Sequence, residues 1–515
     1  MIGAESLLRT LIAGGADTAF VNPGTSEMHL VQAIDNVPGV RSVLGLFEGV
    51  CSGAADGYGR MTGRPALTLF HLGAGLGNAV ANLHNARRAR TPLINLVGDH
   101  ATYHIKYDTP LTSDIAGIAG PVSNWVHTTS TPNDVVQAGM DALTAAHSGG
   151  GQVATLIIPT DCAWGISEGP ATPPAPPALP EVSDDEVEAA TTAIKNGGRV
   201  VLLLGAKALG GRGILGAQRI ADATGAEVWR ESFSAKVERG PGLPKVERLP
   251  YFPEQVEEAL KGTDTLILAG AKEPASFFAY EGKNSELTPE GCSVVRLSGP
   301  RRDASAALEA VADALNAPKG QETVCPVERP DLPTSGNLSD VTIGQALGAL
   351  LPDNAIICDE AITSGVPAAA FTQNAARHTW LSVTGGAIGG GIPMAVGAAI
   401  ACPDRKVVAL IGDGSAMYTI QALWTQAREN LDIVTVIFSN REYRILQIEL
   451  MRSGAQNPGP KAMEMTNLNN PDINWVQMAA GLGVEADRAT TAEEFSKVLK
   501  RAMENSGPFL IEAVL

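Results

Sequence analysis

At 515 residues the chain exceeds what one hydrophobic core can organise, and ~150 residues per domain gives about three domains. Its 44% hydrophobic and 18% charged residues are the balance of a soluble globular protein, and no apolar run nears the ~20 residues a bilayer requires. A formal net charge of −17, with no Lys and Arg run interleaved with aromatics, argues against nucleic acid as a partner, and no membrane partner is expected.

In chain order, MIGAESLLRTLIAGGAD opens on an amphipathic helical pattern carrying Glu5 and Arg9. It lacks the basic start, apolar stretch and cleavage site of a secretory signal, so a cytoplasmic location is expected. Short β-branched runs then alternate with helical patterns: TAFV, SVLGL, ALTLF, LINLVG and VATLIIP; then VVLLLGA, TLILAGA and SVVRLS; then AIICD, VVALIGD, VTVIFSN and FLIEAVL. Proline-rich stretches from Glu168 to Asp184 and from Ala317 to Asp340 exclude helix and central strand, and read as linkers. They predict segments 1–167, 183–318 and 340–515, each an α/β domain with a doubly wound parallel sheet. Six scattered cysteines without a CxxC pair are expected to be free thiols.

In such sheets ligands gather beyond the carboxyl ends of the strands, and the unusual residues lie there. FVNPGTSEM follows the first strand with Asn22, Gly24 and Thr25; Thr25 either caps the next helix, helped by Glu27, or offers a hydroxyl to a ligand. Glu48 ends SVLGLFE just before a helical run with Val50, Ala54, Ala55 and Tyr58 on one face, where a carboxyl is expected to be partly buried. His71 follows ALTLF; of eight histidines seven lie in the first third, which places imidazole chemistry there. TGGAIGGGIPMAVGAAI sets Gly385, Gly386, Gly389, Gly390 and Gly391 before a helix, permitting close backbone approach to a ligand. After VVALI, Gly412 and Gly414 allow a tight turn, Asp413 offers a hard oxygen, and Ser415 begins a helix whose free N–H groups can receive a phosphate. Asn440 ends the next strand. Asp413, Asn440 and the carbonyl of Glu442 suit Mg2+ held against a diphosphate.

GDGS followed by Asn440, 28 positions beyond Gly412, resembles the cofactor motif of the thiamine-diphosphate-dependent enzymes, the superfamily of benzoylformate decarboxylase and the acetolactate synthase large subunit. The usual double Asn is Ser439-Asn440 here, which leaves the metal-binding Asn in place. The resemblance covers essentially the whole chain as pyrimidine-binding, middle and diphosphate-binding domains, and implies thiamine diphosphate and Mg2+ as cofactors. It makes Glu48, ahead of Ala54-Ala55-Asp56-Gly57-Tyr58, the carboxylate that exchanges a proton with the aminopyrimidine ring. It makes Ile388 the apolar wedge that bends the cofactor and the Gly386 carbonyl the acceptor of its amine, with Thr363 and Tyr418 as further cofactor contacts. It also implies that Glu48 of one chain faces the diphosphate site of another, so a homodimer or homotetramer is expected.

The resemblance is nearest in motifs to benzoylformate decarboxylase, where the loop matched by Asn22, Pro23, Gly24 and Thr25 meets the substrate carboxylate and the position of His71 holds a catalytic His. Ile445 and Leu446 are expected to line the substrate pocket. Leu446 stands where pyruvate-type decarboxylases carry a catalytic Glu, Ile445 replaces a smaller residue and should favour substrates less bulky than an aryl group, and Phe278 stands in place of a second catalytic His. A non-oxidative 2-oxo acid decarboxylase with carboligase capacity is therefore expected. An acetolactate-synthase-like carboligase is the alternative, set lower by His71, the end at Leu515 without a covering tail, and the lack of a flavin fingerprint in the middle third. A silent cofactor-binding subunit is a third reading, opposed by Glu48.

Overall fold

The computed structural model describes residues 1–455 and 457–515. Three sheets follow one another along the chain. The first has six parallel strands in the order Arg41–Leu44, Thr18–Asn22, Ala66–Phe70, Leu93–Asp99, Val153–Pro159, Trp125–Thr128. Its central strands read as near-continuous apolar runs because helices cover both faces, the arrangement that a parallel sheet with crossover helices demands. The second runs Glu247–Arg248, Glu227–Arg230, Val200–Leu204, Thr265–Ala269, Ser293–Ser298, again parallel.

The third sheet orders Glu485–Ala489, Phe509–Val514, Ile433–Ser439, Val407–Gly412, Ala355–Glu360, His378–Ser382 and Lys236–Arg239. Its last strand comes from the middle third of the chain and pairs antiparallel with His378–Ser382. That strand, like Trp125–Thr128, Glu227–Arg230, Glu247–Arg248, His378–Ser382 and Glu485–Ala489, lies outside the runs anticipated from apolar patterning. Between the helices Thr160–Trp164 and Asp184–Lys195, and between Ala304–Ala314 and Asp340–Leu350, there is neither helix nor sheet strand, as the proline content required.

The first and third sheets share one core. Helix Glu48–Thr62 lies against helix Gly391–Ala401, and a single apolar cluster runs from Phe20, Val50 and Tyr58 through Met394 and Val396 to Ile411 and Leu510. The backbones approach closely because Gly57 sits on the Met394 carbonyl and Gly397 on the Ala54 carbonyl. Arg60, buried and paired with Asp56, donates from Nη1 to the Ser382 carbonyl at 2.6 Å and the Ala235 carbonyl at 3.2 Å, so one guanidinium ties all three parts together. The second sheet has apolar clusters of its own. All six cysteines are free thiols, and among the described residues no helix is long and apolar enough to cross a membrane.

Candidate active site

Strand Val407–Gly412 delivers Asp413 to the carboxyl edge of the third sheet, next to strand Ile433–Ser439, with Gly412 opposite Phe438. Asp413 is 3% exposed; its Oδ1 accepts from the Gly414 amide at 2.8 Å and its Oδ2 from the Arg441 amide at 2.6 Å. The Asn440–Arg441 turn is therefore held against Asp413 through the Arg441 amide. Burial pushes the Asp413 carboxyl up to about 6, against the pull of the two amides. No Lys or Arg side chain pairs with it among the described residues, so a hard cation is the partner its chemistry suits. Asn440 Oδ1 accepts from the Glu442 amide at 3.2 Å. The Glu442 carboxylate is taken up by Arg444 Nε at 3.0 Å and Gln447 Nε2 at 3.1 Å, which leaves the carbonyl as the oxygen this residue has to offer. The helix opens at Asp413 rather than Ser415 and stops at Ala416; a second helix, Ala422–Arg428, takes over. Gly414 has no room for a side chain because the Tyr443 ring covers it.

The glycine loop before helix Gly391–Ala401 reaches the same place. Thr419 Oγ1 donates to the Gly389 carbonyl at 2.8 Å, and Tyr418 packs on Gly389, so the two glycine motifs are joined. Asn85 Nδ2 donates to the Ala387 carbonyl at 2.8 Å, and its Oδ1 accepts from the Gly385 and Ala387 amides. His84 Nε2 meets the Gly385 carbonyl at 3.1 Å, and Asn82 Nδ2 lies 3.3 Å from the Gly389 carbonyl. Glu360, buried at the end of strand Ala355–Glu360, accepts from the amides of Gly389 (2.6 Å), Gly390 (3.2 Å) and Gly391 (2.7 Å). Among the described residues, Gly386 and Ile388 are the two positions from Gly385 to Gly391 whose backbone groups engage no protein partner. A loop pinned everywhere else leaves the backbone groups of those two free to meet a ligand. Thr363 lies half-buried in the turn after Glu360.

In the first sheet Glu48 opens helix Glu48–Thr62 half-buried, its Oε2 accepting from Asn78 Nδ2 at 2.9 Å near the surface of the chain. Asn82, which reaches the glycine loop, also donates to the Gly49 carbonyl at 2.8 Å, so one amide bridges the Glu48 helix and that loop. His71 precedes helix Leu72–Ala89. Glu48 Oε1 and His71 Cβ lie 3.0 and 3.4 Å from the point a Cβ on Gly75 would occupy, so the absent side chain lets the two groups share one corner.

Sequence reasoning missed what holds His71. Its Nδ1 lies 2.9 Å from Oε2 of Glu27, a carboxylate 1% exposed, and 3.1 Å from Ser26 Oγ, which itself donates to Glu27 Oε1 at 2.7 Å. Glu27 Oε2 also accepts from the Gly24 amide at 2.8 Å, and Gly98 leaves it space. Thr25 is exposed at the start of a short 3-10 turn whose N-cap is Gly24, and Ser26 is the hydroxyl on the imidazole. Asn22 ends strand Thr18–Asn22, half-buried. Ile445 and Leu446 fall on helix Arg444–Arg452, Leu446 with 49% of its surface open.

Comparison with known proteins supports this reading. Residues 1–123 match the N-terminal TPP binding domain of thiamine pyrophosphate enzymes, and residues 363–513 match their C-terminal TPP binding domain. IlvX of Mycobacterium tuberculosis, named for the acetolactate synthase large subunit, is 51% identical over 516 residues, covering 100% of this chain and 99% of its own. Benzoylformate decarboxylase of Pseudomonas aeruginosa is 30% identical, covering 97% and 96%. The solved structure of a thiamine-diphosphate-dependent 4-hydroxybenzoylformate decarboxylase from Rhodococcus jostii RHA1 superposes with a TM-score of 0.87 at 25% identity, over 100% of this chain and 99% of that one. The chain belongs to the thiamine pyrophosphate enzyme family, as a thiamine-diphosphate-dependent enzyme of the lyase and carboligase type akin to acetolactate synthase and benzoylformate decarboxylase.

Proposed function

We propose that the protein is a non-oxidative 2-oxo acid decarboxylase with carboligase capacity, acting on small or branched rather than aryl substrates. The observation that carries this reading is the gathering of Glu48, His71 and buried Glu27 in one corner of the first sheet. Thiamine diphosphate, when bound, supplies the electron sink for cleavage beside a carbonyl. Asp413, Asn440 and the Glu442 carbonyl would hold Mg2+, the backbone of Gly386 and the side chain of Ile388 would hold the pyrimidine end, and Thr363, Gly412, Gly414, Ser415 and Tyr418 would complete the cradle. Glu48 would hold or release a proton at the pyrimidine end. Glu27 takes the Nδ1 proton of His71 as a hydrogen bond, which leaves Nε2 to accept or deliver a proton at the substrate. Thr25, with Asn22 and Gly24, meets the substrate carboxylate, while Ile445 and Leu446 wall its side chain. The position of Glu48 at the surface of the single chain supports a site completed by a second copy, in a homodimer or homotetramer.

Incubation with thiamine diphosphate, Mg2+ and a panel of 2-oxo acids, followed by product identification, tests the reading. Carbon dioxide and an aldehyde from short branched acids are expected, and Glu48→Gln should lower turnover by roughly 100-fold or more while cofactor binding persists. Unchanged turnover in that variant, or a strong preference for benzoylformate, would overturn the mechanism or the substrate class respectively. The 51% identity to a protein named for the acetolactate synthase large subunit favours a second reading, carboligation of two 2-oxo acids, which acetolactate formed from pyruvate would establish.

A further inference from the structure

The helix Arg444–Arg452, which carries Ile445 and Leu446, contains no fully buried residue. Its beginning is tied within the third part of the chain, where the Tyr443 amide donates to the Thr466 carbonyl at 2.8 Å. Its far end is tied elsewhere. Arg452 presents both terminal nitrogens to Glu254, Nη1 to Oε1 at 2.6 Å and Nη2 to Oε2 at 2.9 Å, and its guanidinium lies 4.2 Å from the Phe252 ring centre and 4.8 Å from that of Tyr280. The Tyr280 hydroxyl donates to Glu449, 3.0 and 3.1 Å from its two carboxylate oxygens. Ile445, Glu449 and Arg452 stand at i, i+4 and i+7, so the face clamped to the middle part of the chain is the face that bears Ile445.

The clamp belongs to a larger aromatic group. Phe252 packs on Tyr251 at 4.9 Å, Tyr251 on Phe277 at 5.5 Å, and Phe277 on Phe278 at 4.7 Å between ring centres. Phe277 in turn reaches the glycine loop, its Cζ 3.0 Å from where a Cβ on Gly386 would stand. One set of rings from the middle part thus touches both the loop assigned to the cofactor and the helix assigned to the substrate.

We infer that Arg452 is a positioning residue: held by Glu254, Phe252 and Tyr280, it fixes the Ile445 face of its helix against the aromatic group and so sets how large a substrate side chain the pocket admits. The substrate part of this inference rests on the proposed function; the clamp does not. A bidentate, ring-stacked guanidinium does both tasks, and an ammonium cannot.

Hydrogen exchange of the amides of residues 444–452, measured on protein loaded with thiamine diphosphate and Mg2+, tests the clamp without reference to turnover. Arg452→Ala should speed exchange by roughly tenfold, with Arg452→Lys and Glu254→Gln in between. Exchange rates equal to wild type would overturn the inference whatever the activity. Kinetics on the 2-oxo acid panel tests the consequence. In Arg452→Ala the KM of the preferred acid should rise roughly five- to tenfold with kcat within about twofold, while bulkier acids lose less, since only a uniform binding term is removed. An equal loss for every acid, accompanied by weaker cofactor binding, would reduce Arg452 to general structure and overturn the positioning role. A wild-type protein that binds cofactor but turns over no acid would end the proposed function and the size-selection claim together, leaving the exchange result to decide the clamp.

Discussion

Three consecutive glycine amides converge on the carboxylate of Glu360, which is enclosed at the end of a central strand. Burial pushes its acid up to about 7 from 4.5, and the amides pull it back. Because the folded chain holds this proton more tightly than the unfolded one, the group's contribution to stability is complete below about 4.5 and is lost as pH rises through about 7. Glu360→Gln should remove that slope, so the urea midpoint of the variant should change less between pH 5 and pH 8 than that of wild type. It should also cost about 1–3 kcal/mol, since one end of the amide group must face a glycine N–H with another N–H. A weaker half-saturation by thiamine diphosphate should accompany this, because the loop presenting Gly386 and Ile388 loses its anchor. Single positions of this kind divide by how far along the chain their partners lie. The placement of Asp413 and Asn440 after their strands and of Glu48 at its helix start was legible because strand, turn and helix around them are contiguous. The role of Glu360 was hidden because its donors lie some thirty positions later, and Glu27 was read only as a helix-start charge because His71 is 44 residues away. For Glu360 the signal was a pair of carboxylates, Asp359 and Glu360, closing the apolar run Ala355–Cys358, since a buried group of this kind must find donors.

Between elements, the contact that fixes the site is backbone on backbone. Helices Glu48–Thr62 and Gly391–Ala401 touch through Gly57 and Gly397, and a methyl on Gly397 would drive into the Ala54 carbonyl, which cannot rotate away. Gly397→Ala should therefore destabilise by about 1–3 kcal/mol and lower cofactor affinity, because both helices would separate and carry Glu48 and the glycine loop with them. A urea midpoint shifted with an unchanged slope would show this; a wild-type midpoint would mean that the helices have slack. In the sequence Gly57 stood only as part of the Ala54–Tyr58 motif and Gly397 was not singled out, and their packing use emerged only with the partner helix in place. Strand recognition followed the same logic. Runs such as ALTLF and VATLIIP coincide with their strands because both faces are covered and nearly every position is apolar. Lys236–Arg239 and Glu247–Arg248 carry charge on short edge strands and left no apolar pattern to read, and the register of the former is set by His378–Ser382 far along the chain.

At the level of the molecule, one apolar core unites the first and third sheets of a chain, so Glu48 and Asp413 of that chain are fixed in one body and cannot drift together to close on a cofactor. If Glu48 instead serves the diphosphate site of a second copy, the two residues belong to different active sites, and inactive variants should rescue each other. In a heterodimer of Glu48→Gln and Asp413→Asn chains, one site draws its intact Glu48 from the second chain and its intact Asp413 from the first, while the other site carries both lesions. Equal amounts exchanged at random place half of all chains in heterodimers with one working site of two, so about a quarter of wild-type specific activity should return, up from nearly none in either parent. Dilution should then lower specific activity as the working pairs dissociate. Activity after verified subunit exchange that never exceeds the sum of the parents would mean that each site is built within one chain, and the surface position of Glu48 would need another partner to cover it.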